Sequence, residues 1–113
     1  TFIEAEKEIF GIDHAELGGR IASNWNFSQT LIQTIQQHHL TGKAADIPET
    51  VAMIYLADSL CSISGINGEL FCEPDTHYDR ICEQLGLSEK DLNRVMSDFY
   101  SRKDDIYGLL AIL

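Results

Sequence analysis

Histidine and carboxylate side chains are the residues in this chain whose types and spacing could do chemistry. His38 and His39 stand side by side in the segment Ile35–Lys43, IQQHHLTGK, and account for two of only four histidines. Neutral imidazole is the commonest protein ligand for transition metals. A pair in the last turn of a helix also complements the helix dipole without any ligand. The pair therefore reads as a metal site, as an ordinary polar helix end, or as the remnant of a site that has lost its partners. His14 and Asp58 are the other candidates. Asp58 follows the seven-residue apolar run Val51–Ala57. On a helix it shares a face with Val51, Ile54, Tyr55 and Cys61, and a carboxylate on a buried face is costly unless it is paired or bound to metal.

The elements that must position these residues read as helices. Phe2, Ile3, Glu6, Ile9 and Phe10 follow helical spacing, and Gly11 closes that segment. Asp13 caps a second helix with an expected core stripe of Leu17, Ile21, Ala22 and Trp25. Asn26-Phe27 makes a break, and Ser28 caps a third helix with Leu31, Ile32 and Ile35 on its apolar side. His14 lies 11 residues before Trp25, and His38 and His39 lie 10 and 11 residues after Ser28. At about 1.5 Å per residue, each position is roughly 16 Å from the turn, so an antiparallel hairpin brings His14 level with the pair. Adjacent helical residues diverge by about 100°. His38 and His39 are therefore expected to touch two neighbouring ions, or to divide into one ligand and one supporting group. This hairpin does not place Asp58. Gly18-Gly19, each costing about 1 kcal/mol against Ala inside a helix, points to close approach of a neighbouring helix.

Beyond a polar loop, Leu40–Asp46, Pro48 suits the first turn of a helix running to about Ser64, apolar on all sides and expected to be central and buried. Gly65–Pro74 reads as a loop. Asp75 or Thr76 then caps a helix with Tyr78, Ile81, Cys82 and Leu85 inward, closed by Gly86. Ser88–Asp91 resembles a capping box, followed by the stripe Leu92, Val95, Met96, Phe99 and Tyr100 and an apolar tail, Ile106–Leu113. The short connections argue for antiparallel packing, an all-α helical bundle in one 113-residue domain.

Composition narrows the function. With 18 acidic and 8 basic residues the net charge is −10, and the longest basic feature, Arg102-Lys103, is followed at once by Asp104-Asp105. Nucleic acid and anionic membrane surfaces both need clustered Lys and Arg, so neither is an expected partner. No apolar run is long enough to span a membrane, and no signal-peptide pattern is present. Cys61, Cys72 and Cys82 form no CxxC pair, which points to free, buried thiols in a reducing cytoplasm.

The stretch FGIDHAELGGRIASNWNFSQTLIQTIQQHH, followed by VAMIYLADSL, resembles the HDOD family, the HD-related output domains of bacterial signalling proteins. The residues that carry the resemblance are Gly11, His14, Ala15, Gly18, Trp25, Ile35, His38, His39, Ala57 and Asp58, within residues 1–65; residues 66–113 resemble the more variable helical end. HDOD domains are similar to the HD superfamily of metal-dependent phosphohydrolases. The resemblance implies an HD-type bundle in which His14, His38, His39 and Asp58 fall on metal-ligand positions, for iron, manganese or zinc. The chain contains no His-Asp dipeptide and lacks the Asp-Gly-x-Gly-Tyr-Pro signature of the cyclic-dinucleotide-cleaving relatives. By the resemblance the superfamily's His-Asp pair would lie upstream of Thr1, either cut away or never present, and the chain is expected to be a C-terminal portion of a longer HDOD domain. A dinuclear hydrolytic site needs more ligands than three histidines and one aspartate. The expectation is a cytoplasmic regulatory output domain with no catalytic residues of its own. Its expected partners are other signalling domains or proteins; the apolar face left by the missing helices is expected to drive homo-oligomerisation, or else to be covered by the tail Ile106–Leu113. The alternatives are a metal-dependent phosphohydrolase, and a ligand-free scaffold in which the histidines form a buried polar network.

Overall fold

The computed structural model describes residues 1–40, 46–65 and 76–111. The loop around Gly42, the loop over 66–75 with Cys72, the cap at Asp75, and Ile112 and Leu113 lie outside the described residues. The chain is all-α. Among the described residues there are six helices: α1 (Phe2–Phe10), α2 (His14–Asn24), α3 (Gln29–Gln37), α4 (Glu49–Ile63), α5 (Tyr78–Gln84) and α6 (Glu89–Leu110).

Local chemistry sets most of the boundaries. Thr1 and Glu4 form a capping box at the start of α1, and Gly11 ends it at φ +74° with its N–H on the Lys7 carbonyl. Asp13 caps α2 by accepting the Glu16 N–H at 2.7 Å, and Ser28 caps α3 by accepting the Leu31 N–H at 3.3 Å. Asn26, at φ +57°, closes α2: the Phe27 N–H reaches the Ala22 carbonyl and the Asn26 N–H reaches Ser23. Asn tolerates this left-handed backbone, which turns the chain back on itself. Gly86 closes α5 in the same way, and Ser88 and Asp91 exchange hydrogen bonds at the start of α6. Pro48 sits just before α4 rather than in its first turn. His77, not Thr76, precedes α5 and makes no side-chain cap bond. Helix α6 is continuous over 22 residues, so Ile106 continues it instead of starting a separate tail. No helix among the described residues is long and apolar enough to cross a membrane.

The antiparallel α2–α3 hairpin packs through a different face of α2 than the large apolar residues suggest. Ala15, Gly19 and Ala22 are buried, whereas Leu17, Ile21 and Trp25 are exposed, Trp25 at 68%. The reason is distance. A Cβ on Gly18 would lie 2.9 Å from the Ile35 Cγ2 methyl, and one on Gly19 would lie 2.1 Å from Gln36 Cγ. Small residues at spacing 15, 19 and 22 let the two backbones come close, and the bulkier stripe is left on the outer side. In α3, Ile32 and Thr34 are buried and Leu31 is exposed. The Thr34 hydroxyl donates to the Thr30 carbonyl at 2.8 Å, which satisfies it inside the helix.

The principal core lies further along the chain. Leu40, Ile47, Val51, Ala52, Tyr55, Leu56, Ile81 and Cys82 form one buried cluster, with Leu60, Tyr78, Leu85, Leu87 and Leu92 packed against it. Helix α4 is therefore buried on one face, not all round: Met53 and Ile54 are exposed. Gln84 ties α5 to the segment before α4 by donating to the Ile47 carbonyl at 2.8 Å. Cys61 is half-buried and Cys82 buried, both as free thiols, and burial pushes both thiols above their ordinary pKa. They are correspondingly poor nucleophiles. Ile81 is fully buried at the centre of the cluster. Ile81→Ala should lower the unfolding free energy by about 2–5 kcal/mol in urea denaturation, the usual range for such a cavity; a loss well below that range would contradict this placement of the core.

Candidate metal centre

The hairpin brings three imidazoles to one point. His14 is the first residue of α2, and His38 and His39 follow the last residue of α3. The pair does not stay on a helix. Gln37 ends α3, and the Leu40 N–H closes a turn onto the Gln37 carbonyl at 3.0 Å, with His38 and His39 between them. His38 keeps helical backbone angles, φ −63° and ψ −16°, yet the two side chains fold toward each other. The two rings lie 3.9 Å apart between centroids, tilted by 42°. Leu40 makes this turn at φ +47°, a left-handed backbone that leucine rarely adopts. Its side chain is buried in the main core, which holds it there.

The nitrogen atoms are ordered by what each can do. His14 Nδ1–H donates to Glu6 Oε2 at 2.7 Å, and the same oxygen accepts the His14 backbone N–H at 3.1 Å. His38 Nδ1–H donates to the Ile35 carbonyl at 2.7 Å. A carboxylate and a carbonyl can only accept, so both rings carry a proton on Nδ1 and turn Nε2 toward the other histidines. Those two Nε2 atoms face each other at 3.4 Å. His39 Nε2 lies 2.7 Å from His14 Nε2. The ligand atoms of all three histidines lie within 4.8 Å of one another.

Two acceptors facing each other repel unless a proton or a cation lies between them. A tetrahedral zinc with bonds of about 2.0–2.1 Å separates its nitrogen ligands by roughly 3.4 Å, and this donor set suits such an ion. The His14–His38 separation of 3.4 Å matches that spacing, and the His14–His39 separation of 2.7 Å is shorter. Asp58 approaches the group from elsewhere. Its Oδ2 lies 3.9 Å from His39 Nδ1, the nitrogen across the ring from the one facing His14. It is also 46% exposed, so the expected carboxylate stranded on a buried face is not found, and its burial is no argument for a metal.

Glu6 had no site role in the sequence reading, where it served only as one position of the α1 stripe. The signal was a carboxylate on the apolar side of that helix. The hydrogen bond from His14 holds its carboxyl below the ordinary range, against a smaller opposing effect of burial. Beside it, Lys7 Nζ lies 3.1 Å from Asp13 Oδ2. Asp13 is buried, and its carboxyl is lowered chiefly by the Glu16 N–H it accepts, with Lys7 adding to this.

His39 is shifted the other way. Burial chiefly, then repulsion from His38 and His14, pushes its pKa below the ordinary 6.5, with Asp58 and Asp13 opposing. An imidazole held neutral in the fold takes up its proton more readily in the unfolded chain. Its stability contribution is therefore present above about pH 6.5 and lost as pH falls through the window below that value. In chelator, the urea midpoint should fall between pH 7.5 and 5.5, before Glu6 and Asp13 titrate, and the slope should shrink in His39→Gln. A flat midpoint in the wild type would contradict the placement of His39.

Comparison with curated proteins and with solved structures gave no match. A family model described as the HDOD domain matches residues 1–41, a stretch that contains His14, His38 and His39. The matched stretch spans α1–α3, the elements that build the trihistidine cluster.

Proposed function

We propose that this chain is a regulatory output domain of a cytoplasmic bacterial signalling protein. It acts by ligand and protein binding without catalysis of its own, and its ligand is a divalent metal, iron, manganese or zinc, held by His14, His38 and His39. The observation that carries the reading is the convergence of three imidazoles from two helix ends, with ligand nitrogens all within 4.8 Å of one another. The acceptors at the Nδ1 atoms of His14 and His38 turn both Nε2 atoms into the cluster. A divalent cation supplies Lewis acidity and lowers the pKa of any water it binds. The residues themselves orient the three lone pairs and hold them in place.

The protein-binding part of the reading is supported by large apolar side chains at the surface. Phe2, Ile9 and Phe10 on α1 and Trp25 after α2 are each at least two-thirds exposed. Such side chains, where they cluster, mark interaction sites. The partners proposed are other signalling domains or proteins, or a second copy of the chain.

A phosphohydrolase is the second reading. It is favoured by the count of protein ligands, since three histidines leave room on a metal for water or substrate. Asp58 argues against it: in the other role, as a ligand bridging two ions, it would have to leave His39 Nδ1 and reach the Nε2 side.

Metal content separates the readings. Protein purified without chelator or affinity nickel should carry about one metal per chain by mass spectrometry. His14→Ala should abolish it, and Asp58→Ala should retain it. No metal in the folded wild type would refute the metal site. Loss of metal in Asp58→Ala, together with turnover of a phosphodiester substrate by the wild type, would favour the enzyme.

A further inference from the structure

Helix α1 has no buried residue. A nine-residue helix is marginal in water on its own, so its place depends on what it touches. Two polar contacts tie it to the start of α2. Lys7 reaches Asp13 at 3.1 Å, and Glu6 accepts both the ring Nδ1–H and the backbone N–H of His14. The second contact lies on the candidate metal centre itself. Glu6 Oε2 holds the nitrogen opposite the one that faces His38 and His39. It therefore fixes which nitrogen of His14 keeps its proton, and it aims the other lone pair into the cluster.

We infer that Glu6 is a positioning residue for the trihistidine site and that, through it, metal occupancy is linked to the docking of α1. The inference rests on the metal-binding reading above. A carboxylate accepting the far N–H of a metal-bound imidazole raises the ligand's basicity, and removing it typically weakens affinity 10–100-fold. Linkage is reciprocal. Whatever factor α1 docking contributes to metal affinity, the metal contributes to α1 docking. The device has a source in the sequence: Gly11 and Ile12 separate the helix from its Asp13 anchor, so α1 can detach without unfolding the α2–α3 hairpin.

The test uses the whole 113-residue chain with zinc as the probe. Affinity is read by competition with a chromophoric chelator, and docking by amide hydrogen exchange over residues 5–11. Glu6→Ala should bind zinc about 10–100-fold more weakly. Glu6→Gln, whose amide oxygen accepts the same two hydrogen bonds, should stay close to wild type. Zinc should slow exchange in α1 of the wild type, and the slowing should vanish in Glu6→Ala while α2 and α3 remain protected. In chelator, imidazole ¹⁵N shifts should place the His14 proton on Nδ1 in the wild type and on a mixture of nitrogens in Glu6→Ala. Wild-type affinity in Glu6→Ala, with the slowing intact, would overturn the inference and leave the metal reading standing. A wild type that binds no zinc would overturn both the metal reading and the link to α1; the ¹⁵N shifts would still show whether Glu6 sets the His14 tautomer.

Discussion

Helices α2 and α3 approach so closely at Gly18 and Gly19 that a methyl group at either position meets Ile35 or Gln36. The ring contacts at the trihistidine cluster depend on that approach. The three imidazoles stand on two different helix ends, and their nitrogen separations of 2.7 and 3.4 Å leave little tolerance for a wider hairpin. The same constraint decides which face of α2 is buried. Hydrophobic burial alone would turn Leu17, Ile21 and Trp25 inward. The small residues win because only they let the backbones meet, and the bulky residues become surface.

Each ring has a neighbour at Nδ1 from a different element of the fold. His38 uses a backbone carbonyl of its own helix, which is fixed by the fold of α3. His14 uses a side-chain carboxylate from a separate helix. His39 has only Asp58, at ion-pair distance from α4. The cluster is thus addressed by three elements, each with its own rigidity. The contact with the most to lose belongs to α1, the helix with no side chain in the core.

Much of this was legible in the sequence because it is local. Caps at Asp13 and Ser28, the stop at Gly11, the break at Asn26 and the box at Ser88–Asp91 are decided by neighbours a few residues away. Counting residues from the turn placed His14 level with His38-His39, since helical rise is nearly constant. What failed was tertiary. The inward face of α2 was misassigned because residue hydrophobicity does not carry interhelical distance. Helix α4 reads as apolar all round yet exposes Met53 and Ile54, because what covers a helix is set by the rest of the chain. The meeting of the His38 and His39 rings was not legible because it depends on side-chain torsions, which residue spacing does not carry, and the left-handed backbone of Leu40 is likewise unmarked, since sequence reading expects it at Gly or Asn. Glu6 was invisible as a site residue because its partner lies eight positions away across a turn.

Among the described residues, Leu40 is the one that belongs both to the turn holding the histidines and to the main core. Its side chain is locked among Ile47, Val51, Tyr55 and their neighbours, while its backbone sits in a region it would leave if released. It works as a lever with its short arm in the core and its long arm at the imidazoles. The turn that carries the imidazoles and the core built on α4 and α5 thus share a side chain, and what loosens the core bears directly on the turn.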